Sequence, residues 1–203
     1  MFPLSLSVFV AKELKMRCFI AIDIEEKIRN GLADIQKQLI EKTDLHKGEV
    51  KWVRPDNIHL TLKFIADLDD WQIKQAGEIA KQVASEHKSF DIDVESVGTF
   101  GGRSVKVVWV GTKKGTDELK VLQKDLESGL EQIDIAPEER EFSAHLTLCR
   151  VQSQRAGFKL AEIAKQFENL KLGTIHANAL CFYQSQLTPQ GPIYTLLDKF
   201  QLS

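Results

Sequence analysis

Apolar residues in this chain recur at two periods, close to two and close to 3.6, and the switches between them predict its elements. Arg17 to Asp23 reads as a mostly apolar first strand. Ile28, Leu32, Ile35 and Leu39 then follow at the three- and four-residue spacing of an amphipathic helix. Val50 to Val53 is a short strand, Arg54-Pro55-Asp56-Asn57 a turn, and Ile58 to Ile65 a longer strand. A second helix is predicted over Asp70 to Glu86, with Ile73, Ala76, Ile79, Ala80 and Val83 on one face. Phe90, Ile92 and Val94 alternate as a strand, and Gly101-Gly102 is placed to turn a hairpin into Val105 to Val110. Thr116 to Glu131 forms a third helix through Leu119, Leu122, Leu126 and Leu130, and Phe142 to Arg150 a further strand. A short helix over Leu160 to Phe167, a strand over Ile175 to Gln184, a turn at Thr188 to Pro192 and a strand over Ile193 to Phe200 complete the chain. Several strand pairs have hairpin-length connections, which favours antiparallel pairing and an α+β fold of two similar lobes.

Composition narrows the class. With 203 residues, 43% apolar and 28% charged, the chain suits one sizeable domain or two small lobes sharing a core. No linker is rich enough in Pro, Gly or Ser to mark a domain boundary. Residues 16–203 are therefore expected to form one domain. Residues 1–15, apolar but without a basic start and too short to span a bilayer, are expected to be an extension outside it. A net charge of −2 argues against an all-over grip on long nucleic acid. Lys51, Arg54, Lys63, Arg150 and Arg155 nevertheless gather in sequence around the two motifs described next. The three cysteines lack CxxC spacing, so a reducing, cytoplasmic setting is expected. Cys18 and Cys181 read as core residues, while strict alternation puts Cys149 on the face of His145 and Thr147.

The tetrapeptide His-Leu-Thr-Leu occurs twice, at His59–Leu62 and at His145–Leu148. Among five histidines, average composition gives such a repeat about three chances in a thousand. Each copy has strand alternation, with His and Thr on one face and both Leu on the other. The hydroxyl then lies about 6–7 Å along the strand from the imidazole. Two such strands converging on one phosphate would supply an acid, a base and donors for its non-bridging oxygens, the requirements of in-line phosphodiester displacement. A five-membered cyclic phosphate suits this apparatus because ring strain makes it reactive. No carboxylate cluster accompanies the histidines and two lone imidazoles make a poor zinc set, so no metal and no cofactor is expected. The chemistry leaves open which histidine is acid and which is base. His46 and His87 fall in polar, charged helix ends and read as solvated, and His176 starts a strand without a partner motif.

The segments Met16–Asp23, Trp52–Phe64, Phe142–Arg150 and Gly191–Leu202 together resemble the 2H phosphoesterase superfamily. More narrowly, they are similar to the bacterial and archaeal RNA 2′,3′-cyclic phosphodiesterases, historically also named 2′-5′ RNA ligases. One departure is Ala144, where relatives commonly carry Pro before the second histidine. The resemblance implies two antiparallel sheets with outer helices and a central cleft taking one motif from each lobe. It also implies opening of RNA 2′,3′-cyclic phosphate ends, or of small cyclic nucleotides, to a 2′-phosphomonoester. In that scheme His59 donates a proton to the departing 3′ oxygen, His145 accepts one from water, and Thr61 and Thr147 bind the phosphate.

Four further residues are candidates for substrate binding. Arg150 falls on the wrong face for strict alternation, so either the strand ends or bulges there or Arg150 acts outside the cleft. Because the resemblance puts an Arg of this place at the substrate, a strand end is favoured. Phe19 is balanced between core packing and base stacking. Lys63 shares the His59 face by alternation and would add positive charge, and Arg54 is a turn residue within reach of an RNA backbone. The chain is expected to act as a monomer and without a membrane. The competing readings are reversible 2′-5′ ligation, the same chemistry run backward, and a nucleotide- or RNA-binding module without turnover.

Overall fold

Two antiparallel sheets, one of four strands and one of five, frame the computed structural model, which describes residues 15–102 and 104–203. In chain order the elements are β1 (Met16–Ile22), α1 (Glu26–Lys42), β2 (Val50–Trp52), β3 (Leu60–Leu68), α2 (Asp70–Glu86), β4 (Phe90–Phe100), β5 (Val107–Thr112) and α3 (Thr116–Glu131). There follow β6 (His145–Val151), α4 (Gln154–Ala164), β7 (Lys171–Ala177), β8 (Ala179–Thr188) and β9 (Gly191–Gln201), with short 3-10 turns at Pro55–Asn57 and Lys165–Phe167. The four-stranded sheet runs β3-β1-β8-β9 and the five-stranded sheet β2-β6-β5-β4-β7. This is the α+β fold the hydrophobic pattern predicts and the two-sheet arrangement the family resemblance implies. The expectation for residues 1–15 concerns residues that, apart from Lys15, lie outside the described set.

Local chemistry explains where the helices start. Asp69 accepts from Gln72 N at 2.7 Å while the Gln72 side chain accepts from Asp69 N at 3.3 Å, a capping box that starts α2 at Asp70. α4 begins at Gln154, well before the predicted Leu160, because the Ser153 hydroxyl caps it by accepting from Ala156 N at 3.1 Å. Its first turn buries only the small Ala156 and Gly157, which hides it from the periodicity. Gly157 lets that turn approach the Val105 backbone, since a Cβ there would sit 3.2 Å from the Val105 carbonyl.

The predicted strand over Ile175 to Gln184 is two strands in two sheets. β7 pairs with β4 (Ile175 opposite Ile92) and β8 with β1 (Cys181 opposite Ala21), the change falling at Asn178. Apolar alternation runs through the junction unbroken, so the period carries no sign of the exchange.

The helices are crossed between halves. α1, which follows β1 of the four-stranded sheet, packs on β7 of the five-stranded one. α3, which follows β5 of the five-stranded sheet, packs on α2 and β3.

Both motif strands contain a one-residue bulge at the same offset. Ile20 and Ala21 of β1 pair with Lys63 and Thr61, which leaves Leu62 extra. Val108 and Trp109 of β5 pair with Cys149 and Thr147, which leaves Leu148 extra. After each bulge the side chains change faces. All four motif leucines are buried, each contributing about 2 kcal/mol to the core. Gln36, on the buried face of α1, pins the second bulge. Its Nε2 donates to the carbonyls of Leu148 and Val53, both at 2.8 Å. Gln36→Leu keeps much of the volume and withdraws both hydrogen bonds, so urea unfolding is expected to show a loss of roughly 1–3 kcal/mol.

Candidate active site

Each motif histidine is oriented by a carbonyl two residues before it. His59 Nδ1–H donates to the Asn57 carbonyl at 3.2 Å, and His145 Nδ1–H donates to the Ser143 carbonyl at 2.7 Å. A carbonyl only accepts, so the neutral ring keeps its proton on Nδ1 and leaves Nε2 for chemistry. Both histidines, Thr61, Thr147 and Arg150 line one cavity of about 780 Å³. A second cavity of about 520 Å³ shares His59, Thr61, Phe64, Thr147 and Arg150 with it, so the two form one continuous cleft.

Aromatic rings surround both imidazoles. Around His59 the ring centroids of Phe19, Tyr183 and Tyr194 lie at 5.8, 5.0 and 5.7 Å. Phe100 meets His145 edge-on at 4.9 Å, with Trp109 behind at 6.4 Å. This burial is the main reason both histidines titrate below the ordinary imidazole value. The lesser influences differ between them. For His59, the Asp23 carboxylate and the Asn57 carbonyl oppose the fall and Arg29 adds to it. For His145, the Ser143 carbonyl opposes it and the Arg150 guanidinium adds to it.

The bulges redistribute the residues expected at the site. Arg150 lines the cleft, though not because its strand ends: β6 continues to Val151, and the Leu148 bulge returns Arg150 to the His145 face. The same bulge turns Cys149 inward to 0% exposure, so it does not line the cleft as alternation suggested. Lys63 borders the cavity but is corrected as a source of free charge. It is 3% exposed and bonds Glu127 Oε2 at 2.7 Å and the Ala136 carbonyl at 2.8 Å. Phe19 is 1% exposed beneath His59, Phe64, Tyr183 and Tyr194, so it supports the ring cluster and has no open face to stack on a base. Arg54 is exposed at the rim, together with Lys51. Arg155 is engaged elsewhere by Glu49, at 2.6 Å, and by Asp44. His87 and His176 pair with Asp125 and Asp91 at the surface, each at 2.9 Å.

Phe64 and Tyr194 were not among the sequence candidates. Phe64, 56% exposed in the cleft, stands five residues after His59 as Arg150 stands five after His145. The repeat thus contained the signal, legible once the bulge is counted. Tyr194 arrives from β9 with no motif to announce it. Among the described residues no group of three or more His, Cys, Asp or Glu is placed to hold a metal ion, and no helix is long and apolar enough to cross a membrane.

Two strands that each offer an imidazole and a threonine to one cleft are the arrangement of two-histidine phosphoesterases. The family profile described as LigT like Phosphoesterase matches this chain twice, over residues 22–110 and 108–194. The chain belongs to that family and is an enzyme. It is 32% identical over 190 residues to the RNA 2′,3′-cyclic phosphodiesterase of Methanothermobacter thermautotrophicus, covering 93% of this chain and 100% of that one. It is also 32% identical over 187 residues to the enzyme of the same name from Archaeoglobus fulgidus, covering 92% and 100%. The fold matches a Thermus thermophilus crystal structure with TM-score 0.74 at 23% identity, covering 92% and 98% of the two chains. It matches E. coli LigT complexed with 3′-AMP with TM-score 0.73 at 22% identity, covering 93% and 99%.

A cation beside an imidazole disfavours its charged form, so Arg150→Leu is expected to raise the value at which His145 titrates. Proton NMR of the two imidazoles across pH checks this, with His145 moving up and His59 moving less.

Proposed function

We propose that the enzyme hydrolyses RNA 2′,3′-cyclic phosphodiester ends to 2′-phosphomonoesters, by paired-histidine catalysis that needs no metal. The observation that carries this reading is that both imidazoles, each with Nδ1 committed to a carbonyl, leave Nε2 for one shared cleft. His145, beside Arg150, is the base: its neutral Nε2 takes a proton from water as the water oxygen bonds to phosphorus. The P–O3′ bond breaks on the opposite side, and Nε2–H of His59 protonates the departing oxygen. Thr61 and Thr147 donate to the non-bridging oxygens, and Arg150 balances their charge. One turnover leaves His145 protonated and His59 neutral, and exchange with solvent restores both.

The cleft suits such an end. About 780 Å³ lies within the usual range of small-ligand pockets, roughly 300–1,000 Å³. Exposed Phe64 and half-buried Tyr194 offer faces to a base, and Arg54 and Lys51 lie where a backbone phosphate would leave the cleft. The site is complete within one chain, which supports action as a monomer. Three free, buried cysteines fit a reducing cytoplasm.

A short RNA ending in a 2′,3′-cyclic phosphate, incubated with EDTA, is expected to give the 2′-phosphate at undiminished rate. A 3′-phosphate product would reverse the roles of the histidines, and inhibition by EDTA would remove the metal-free mechanism. His59→Ala and His145→Ala are each expected to lower kcat by about 10²–10⁴-fold with substrate binding retained. Since kcat/KM needs His145 neutral and His59 protonated, its pH profile should be bell-shaped. With both groups lowered from 6.5, its maximum should fall below that pH.

A further inference from the structure

Asp23 directly follows β1 and faces the first histidine. Its Oδ1 lies 3.6 Å from His59 Nε2. Two side chains of one face of β8 hold the carboxylate: the Tyr183 hydroxyl donates to Oδ1 at 2.7 Å and the Cys181 thiol to Oδ2 at 3.3 Å. Burial pushes the Cys181 thiol up to about 12 and raises Tyr183 as well, so both keep their protons and serve as donors. Tyr183 is itself fixed by stacking on Phe19, with centroids 5.1 Å apart and planes 16° from parallel.

We propose that Asp23 is a positioning residue whose carboxylate favours the imidazolium form of His59 against the burial of the ring and so gives it the acid's part, an inference that rests on the hydrolysis proposed above. The distance is central to the argument. At 3.6 Å the carboxylate is too far to capture the Nε2 proton in a hydrogen bond, yet close enough to attract the ring's positive charge. The proton therefore stays available to a leaving oxygen. The tethers from Tyr183 and Cys181 keep the carboxylate from closing that gap.

The groups facing His59 from the packed elements are few. Arg29 of α1 opposes Asp23, while Tyr183 of β8 and Tyr194 of β9 are neutral phenols and the Asn57 carbonyl accepts from Nδ1. Among the described residues the charged group acting on His145 is Arg150, of the opposite sign to Asp23. Two imidazoles in matching frames are thus driven apart, one toward acid and one toward base.

The test is NMR titration of both imidazoles in the wild type and in Asp23→Asn, a nearly isosteric change at a half-exposed position. His59 is expected to titrate about one pH unit lower, with His145 unmoved. The alkaline limb of the kcat profile should move down by the same amount. Asp23→Glu, which keeps the charge, should restore most of both. Should the Asn variant not fold, Asp23→Ser carries the same expectation. An unmoved His59 in the neutral variant, or movement of His145 in its place, overturns the proposal. The titration needs no turnover, so it reads the same whether or not the cyclic phosphate proves to be the substrate.

Discussion

One extra residue in each motif strand governs everything the cleft can do. A regular strand would carry Lys63 and Cys149 on the histidine face and send Phe64 and Arg150 away from it. Because Leu62 and Leu148 are bulged, each motif shows histidine and threonine first and then, on the same side, the residue five places after the histidine. The bulges are held from behind. Gln36 grips the Leu148 carbonyl, and Glu127 and the Ala136 carbonyl grip the ammonium of the reversed Lys63. A buried, paired lysine is an expensive way to turn a strand, and it is the sort of local cost that proteins carry at working sites.

Two matching frames with unlike contents follow from this. Both imidazoles are seated among aromatic rings and tied through Nδ1 to a carbonyl, which makes them alike as ligands. The charges beside them differ: a carboxylate near His59, a guanidinium near His145. Likeness of frame puts two proton carriers at one phosphate, and unlikeness of neighbours gives the reaction a direction. Phe64 and Arg150, at equivalent places, extend the same division into one side that offers a ring and one that offers charge.

Much of this was legible in the sequence. The helix over Asp70–Glu86 was, because Ile73, Ala76, Ile79, Ala80 and Val83 keep one face. So were the two motifs, because an exact repeat of His-x-Thr has no simpler source. What alternation misassigned traces to features without a local signature. A bulge is decided by register against a neighbouring strand, so Lys63, Cys149 and Arg150 could not be placed from their own segments. The sheet exchange at Asn178 is likewise invisible to a pattern that continues through it. Tyr183 and Cys181 looked like ordinary strand residues. Only the pairing of β8 with β1 brings them to Asp23.

The crossing of α1 and α3 makes the two halves depend on each other. The family profile matches in tandem, so each half carries one motif of its own. Yet the glutamine that pins the second motif's bulge belongs to the first half, and the glutamate that turns Lys63 in the first motif belongs to the second. Neither half holds the means to shape its own active strand. Each half therefore shapes the active strand of the other, and a substitution in one acts on the geometry of its counterpart.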